Sequence, residues 1–233
     1  MRTLVRGVLT GAGYLRQSWS FVLLASALVG APSPVTAEDL RYELPAAGSY
    51  ALPVIDRVSD YEMLGADNRR GPLLDLAAGQ CAVVSFVYLS CTDARGCPLA
   101  LATLRRLDRL LADRDDLADR VRLVTVSFDP ERDRPPQLAS LRRHMDPRAD
   151  WRFVTAASPT ELRPVLRDYG QDAVPLLTSN GAFLGRMRHV AKVFLIDSEG
   201  AVRNIYSSGL MDHRLLLRDL ETLLLTDAAT PRP

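Results

Sequence analysis

Lysine is almost absent from this chain: Lys192 is the only one, although Lys and Arg together number 29. Nor is there a surplus of either charge, because the formal net charge is +1 over 233 residues. A protein built to bind nucleic acid concentrates cations on one face to meet the phosphates. The charge balance therefore argues against nucleic acid as the main partner, and the preference for arginine reads as a base-composition habit of the source genome. Cysteine is scarce too, with Cys81, Cys91 and Cys97 the full set. None lies near the N-terminal segment, which speaks against a lipid-modified cysteine there. Long apolar runs are missing as well. The longest N-terminal one, Phe21 to Ala31, is short of the about 20 residues a membrane span needs. No internal repeat and no long low-complexity stretch is present, and hydrophobic residues at 47% leave enough apolar mass for a globular core.

What is present begins with Arg2, Arg6 and Arg16, followed by that short apolar run, Pro32, Pro34 and the small-residue stretch Val35-Thr36-Ala37. A basic start, an apolar stretch of about 7–15 residues and a small-residue cleavage site form a secretory signal. Residues 1–37 are therefore expected to be a signal peptide cut after Ala37, an uncleaved anchor being the alternative. Export would carry the cysteines into an oxidising compartment, where two thiols can close into a disulfide. Residues 38–72 are rich in Pro and Gly and read as an extended lead-in with short strands.

The main domain is expected over residues 73–226, with 227–233 as a frayed tail. Cys81 to Leu89 is a continuous apolar run with many β-branched and aromatic members, as in a strand buried on both faces. Pro98 then opens a segment with Leu101, Leu104, Leu107 and Leu111 at helical spacing. A second buried strand is expected at Val121 to Phe128, a polar turn at Asp129 to Asp133, and a short helix over Gln137 to Met145. Trp151 to Thr155 reads as a strand. Ser158-Pro-Thr-Glu161 is a capping box, with Gly170 closing its helix and Pro164 set to bend it. Gln171 to Arg188 shows no clear period and reads as a long loop. Val190–Ile196 and Val202–Tyr206 flank the turn Asp197-Ser-Glu-Gly200 as a hairpin, and Asp212 to Leu225 reads as a last helix. This order predicts an α/β fold with a mixed sheet covered by helices on both faces.

Cys91 and Cys97 fall between the first core strand and its helix, separated by Thr-Asp-Ala-Arg-Gly. Amide N–H groups at a helix start favour an anion, so a thiol there is expected to ionise more readily, and Arg95 would act in the same direction. Two thiols so placed can be a redox pair, a structural disulfide or a soft metal site, and an imidazole added to them widens the site to Cu(II). Cys81, at the head of a buried strand, reads as a core residue. Of the histidines, His213 reads as a surface residue and His144 as a solvated helix end. His189 stands at the start of a strand, from which it could reach the cysteine loop.

Cys91…Cys97-Pro98, then Ser127-Phe-Asp-Pro-Glu-Arg-Asp133, then His189 five residues before Phe194-Leu-Ile-Asp197 and Gly200, resembles the Sco/SenC family of copper chaperones. The resemblance extends over Leu73 to Leu225. It implies a thioredoxin-like three-layer fold and a copper ion, Cu(I) or Cu(II), held by Cys91, Cys97 and His189. It also implies a periplasmic metallochaperone that matures the copper site of an apo protein such as a cytochrome c oxidase subunit, with a thiol reductant protein as second partner. Asp129 and Asp133 match an acidic turn of the family and are given a supporting role. Two departures stand out. The family has three residues between its cysteines where this chain has five, and Arg188 stands where the family places an aspartate before the histidine. The alternative function is a thiol–disulfide oxidoreductase using Cys91 and Cys97 without His189. The spacing differs from the two-residue spacer of a general thioredoxin, and no peroxidatic signature surrounds Cys91. No nucleic-acid partner is expected, and membrane contact only through an uncleaved N-terminal anchor.

Overall fold

Seven consecutive residues of one strand, Cys81–Val87 (β4), are all buried, so this strand has cover on both faces. The computed structural model describes residues 42–229, and side chains up to Leu225. The expected signal segment, its cleavage site and the last residues of the tail lie outside the described residues.

Three short strands precede β4: Asp56–Arg57 (β1), Glu62–Gly65 (β2) and Arg70–Pro72 (β3). After it come helix α1 (Cys97–Ala112), the single turn α2 (Asp115–Ala118), β5 (Val121–Ser127), α3 (Pro135–Met145) and β6 (Trp151–Thr155). The chain continues through α4 (Pro159–Asp168), β7 (Val174–Leu177), β8 (Phe183–Arg188), β9 (Lys192–Asp197), β10 (Ala201–Ser207) and α5 (His213–Ala229). Eight strands form one sheet in the order β1-β10-β9-β4-β5-β6-β2-β3. β4, β5 and β6 run parallel, and β9 lies antiparallel to β4. The parallel strands need crossovers, which α1 and α3 supply, whereas β9 and β10 are joined by a tight turn. The mixed sheet flanked by helices is the thioredoxin-like α/β fold expected from the sequence.

Helix α1 buries Ala100, Leu104, Leu107 and Leu111 along one face and packs against α5. Tyr169, just past α4, lies against Phe86 of β4 and Phe194 of β9, with ring centroids 5.0 and 5.4 Å away. The N-cap half of the expected capping box is formed, Ser158 Oγ accepting from the Glu161 N–H at 3.2 Å, while the Glu161 carboxylate pairs with Arg70. The β9–β10 turn ends at Gly200, whose φ is +74° and whose absent Cβ would stand 2.6 Å from the Val58 carbonyl oxygen. That carbonyl belongs to the lead-in, so only glycine lets the turn and the lead-in meet.

Two features differ from the sequence reading. Gln171 to Arg188 is not a plain loop: Val174–Leu177 and Phe183–Arg188 pair as an antiparallel hairpin, a separate two-stranded sheet. β7 is exposed throughout and only β8 alternates between half-buried and exposed, so Val174, Leu176, Leu177 and Leu184 all stay exposed and no apolar face is left for the sequence to show. The second is α2, a four-residue turn too short to leave a helical period in the sequence. No helix among the described residues is long and apolar enough to cross a membrane.

Candidate metal centre

β4 delivers the chain to the site and the acidic turn fixes where it stops. The Leu89 N–H donates to Asp133 Oδ2 at 2.9 Å, and Ser127 Oγ donates to the same oxygen at 2.6 Å. Asp133 is 4% exposed, so these two donors from β5 and the end of β4 satisfy an otherwise costly buried carboxyl. Burial still raises its affinity for a proton above that of an ordinary carboxylate. Beyond Leu89 the Cys91 N–H turns back to the Tyr88 carbonyl at 3.2 Å. The spacer is then folded on Asp93, whose side chain accepts from Arg95 N–H at 3.0 Å and whose carbonyl accepts from Gly96 N–H at 2.9 Å. Helix α1 starts at Cys97, followed by proline in its first turn. The five-residue spacer between the cysteines is thus held compact by this Asp93 turn.

His189 arrives from the other direction, in the short link between β8 and β9. Its Nε2 lies 3.4 Å from Cys97 Sγ, and its Nδ1 lies 3.3 Å from the Met187 carbonyl oxygen. A carbonyl can only accept, so Nδ1 carries the proton and the Nε2 lone pair faces the sulfurs. This is the orientation in which an outer hydrogen bond prepares an imidazole to ligate a metal. The ring is held between Tyr88 and Phe128, with centroids 5.4 and 5.2 Å away. The Met187 N–H donates to the Tyr88 hydroxyl at 3.3 Å, so the tyrosine of β4 also ties down the hairpin.

Cys91 Sγ, Cys97 Sγ and a ring nitrogen of His189 all lie within 4.8 Å of one another. Two donors each about 2.0–2.3 Å from one ion stand at most about 4.6 Å apart, so the three close on an ion with shifts of a few tenths of an ångström. Two sulfurs and an imidazole suit a soft or borderline transition-metal ion. The residues present therefore fit such a cargo.

The electrostatics reverse one expectation. Cys97 sits at the helix start as foreseen, but it is 1% exposed, and burial pushes its thiol well above the usual range. Desolvation of the thiolate outweighs the backbone hydrogen bond that favours it. Arg95 is exposed on the spacer. Burial likewise raises the Tyr88 hydroxyl. Arg188 is turned away from the centre, with its side chain 72% exposed and 3.8 Å from Asp172.

The structure brings together all three residues singled out in the sequence. Cys81 is a buried member of the core, as expected. His144 is exposed at the end of α3, and His213 begins α5 beside Asp212. Asp129 holds Arg132 at 2.9 and 3.0 Å, and the Arg132 guanidinium lies 3.9 Å from the centroid of the Phe183 ring on the hairpin. Tyr88, Phe128 and the Met187 carbonyl escaped the sequence reading. Tyr88 was the one with a signal, as a hydroxyl at the end of an otherwise apolar run.

A thioredoxin-like sheet carrying two cysteines at the first crossover and a histidine ahead of β9 defines a class of thiol and metal proteins. The sequence model described as SCO1/SenC matches residues 60–225, and the chain belongs to that family. Among solved structures, Arabidopsis thaliana ScoI with copper bound is 21% identical, with TM-score 0.58, covering 72% of this chain and 98% of that one. Apo Sco1 from Thermus thermophilus is 23% identical, with TM-score 0.61, covering 77% of this chain and 97% of that one. BsSco, described as having a disulfide switch and as a member of the Sco family of cytochrome c oxidase assembly proteins, is 20% identical. Its TM-score is 0.56, with 74% of this chain and 95% of that one covered. No curated protein sequence matches the chain significantly.

Proposed function

We propose that this protein is an exported copper chaperone that holds copper through Cys91, Cys97 and His189 and passes it to an apo copper protein such as a cytochrome c oxidase subunit. The observation that carries this reading is the convergence of the two sulfurs and the imidazole nitrogen within 4.8 Å. Copper is favoured over other cations by the soft sulfurs and by the copper bound in the Arabidopsis relative. The basic, apolar and small-residue succession of residues 1–37 supports delivery to the periplasm, with an uncleaved anchor as the variant form. Raised proton affinity at Cys97 means that copper must displace a proton to bind, which makes loading a metal-for-proton exchange. A disulfide between Cys91 and Cys97 would remove both thiolate ligands, so a thiol reductant protein has to keep the pair reduced.

A thiol–disulfide oxidoreductase is the second reading, supported by the closeness of the two sulfurs and by the disulfide switch of BsSco. It has no use for His189 as a ligand. Anaerobic titration of the reduced protein with Cu(I), and with Cu(II) in parallel, separates the readings. Wild type is expected to bind one equivalent, and Cys91→Ser and Cys97→Ser to lose it. If Cys91→Ser binds as much copper as wild type, the chaperone reading fails. If His189→Ala leaves both affinity and the Cu(II) spectrum unchanged, His189 is structural.

A further inference from the structure

The cysteine loop also walls a cavity of about 360 Å³ on the α1 and α3 side. Its lining is apolar, with Leu89, Leu101, Leu141 and Met145 beside the two cysteines, and it has no carboxylate. Leu101 and Leu141 are half-buried, so apolar surface is offered to solvent. Two cationic or cationisable side chains stand at the rim, Arg105 and His144, and both are exposed. Of the arginines on α1 and α3, Arg109 pairs with Asp108 and Asp146, whereas Arg105 is the one that lines this cavity. Arg105 has no hydrogen bond or ion pair among the described residues. The volume is at the small end of ligand sites, which run about 300–1,000 Å³, but the few converging polar groups do not suit a polar small molecule. An apolar floor with a bare guanidinium at its edge matches one apolar side chain next to a carboxylate on a polypeptide.

We propose that this cavity docks the metal-binding segment of the copper acceptor, taking an apolar side chain of that segment against Leu101 and Leu141 while a flanking carboxylate pairs with Arg105. The inference rests on the copper-transfer reading and names the chemistry of its recipient. Docking there brings thiol ligands of the acceptor, the donor type that a soft ion favours, next to Cys91 and Cys97, both of which line the cavity. Transfer is then a ligand exchange at constant Cu(I). Copper–sulfur bonds to Cys91 and Cys97 and the copper–nitrogen bond to His189 break as bonds to the acceptor's ligands form; protons leaving the acceptor's thiols pass to the released thiolates, and His189 is left as neutral imidazole.

The test uses short fluorescein-labelled peptides that carry two cysteines next to Leu-Glu, Ser-Glu or Leu-Lys. Anisotropy with the reduced, copper-free protein reads docking, and competition with a Cu(I) chelator reads copper affinity separately. The Leu-Glu peptide is expected to bind about tenfold tighter than either other peptide, roughly 1.4 kcal/mol. Arg105→Glu, an exposed change that leaves the core intact, is expected to reverse the preference towards Leu-Lys with copper affinity unchanged. Leu101→Gln is expected to erase the Leu-over-Ser preference. Equal binding of the three peptides, binding of none, or no effect of Arg105→Glu overturns the docking site. A wild type that discriminates the peptides but takes up no Cu(I) supports the docking site and removes the copper reading instead.

Discussion

The guanidinium of Arg132 lies 3.9 Å from the centroid of Phe183 while one of its nitrogens donates to both carboxylate oxygens of Asp129. Asp129 is 2% exposed, so the arginine is anchored in the body of the domain and ties it to the hairpin that leads into His189. A cation–π contact of this kind contributes about 0.5–1 kcal/mol at an exposed site.

Phe183→Leu is therefore expected to loosen the hairpin and weaken copper binding by about two- to fivefold, the same energy expressed as a ratio. Arg132→Met should do the same, and the double variant should add little beyond either single one. Chelator competition on the four proteins checks this, and fully additive losses would show that the two side chains do not act together.

Asp133→Leu should be more damaging, because the Ser127 hydroxyl and the Leu89 N–H would both be left without an acceptor. Each unpaired buried donor costs about 1–3 kcal/mol. Urea unfolding should show the loss, with Asp133→Asn recovering part of it through its remaining amide oxygen. Hydrogen exchange at Leu89 should rise in the leucine variant.

Gly200→Ala tests the junction between the β9–β10 turn and the lead-in. A methyl group there meets the Val58 carbonyl oxygen at 2.6 Å and must also adopt a φ of +74°. A destabilisation of more than about 1 kcal/mol in urea unfolding is expected, since alanine at positive φ is strained even without the clash.

His213 supplies a pH dependence away from the metal centre. Burial lowers its proton affinity below the ordinary histidine value, outweighing the attraction of Asp212. The unfolded chain then binds more protons than the folded one just below neutrality, so stability rises with pH there and falls on acidification through the ordinary histidine range. Unfolding at about pH 7.5 and about pH 5.5 should show a smaller loss for His213→Gln than for wild type. An equal loss in both would place the titration elsewhere.

The core of the fold was legible because its signals are local. A short unbroken apolar run rich in β-branched and aromatic residues reads as a strand covered on both sides, and Pro98 and the Ser158 N-cap mark helix starts by their own chemistry. The hairpin was not legible. Pro175 interrupts β7, Leu176 and Leu177 face solvent, and the pairing of Val174 with Arg188 is a contact between distant residues that no short window contains. The same holds within the site. Cys91 and Cys97 announce themselves by type and position, but the proton affinity of Cys97 depends on how deeply it is packed, which its place at a helix start does not reveal. His189 could be named as a candidate, whereas the Met187 carbonyl that sets its tautomer lies on the hairpin that read as loop.

Both outer positions of the eight-stranded sheet are filled by the lead-in: β1 against β10 on one side, and β2 with β3 against β6 on the other. Residues 56–72 thus work as a pair of selvedges, binding the two borders of the sheet from a single stretch of chain. A chain begun at Leu73 would bare β6 and the Ala201–Val202 start of β10 at once, lengthening the free row of backbone donors and acceptors that β10 offers to neighbouring molecules. Self-association through that border, more than loss of the core, is the expected fate of such a shortened protein.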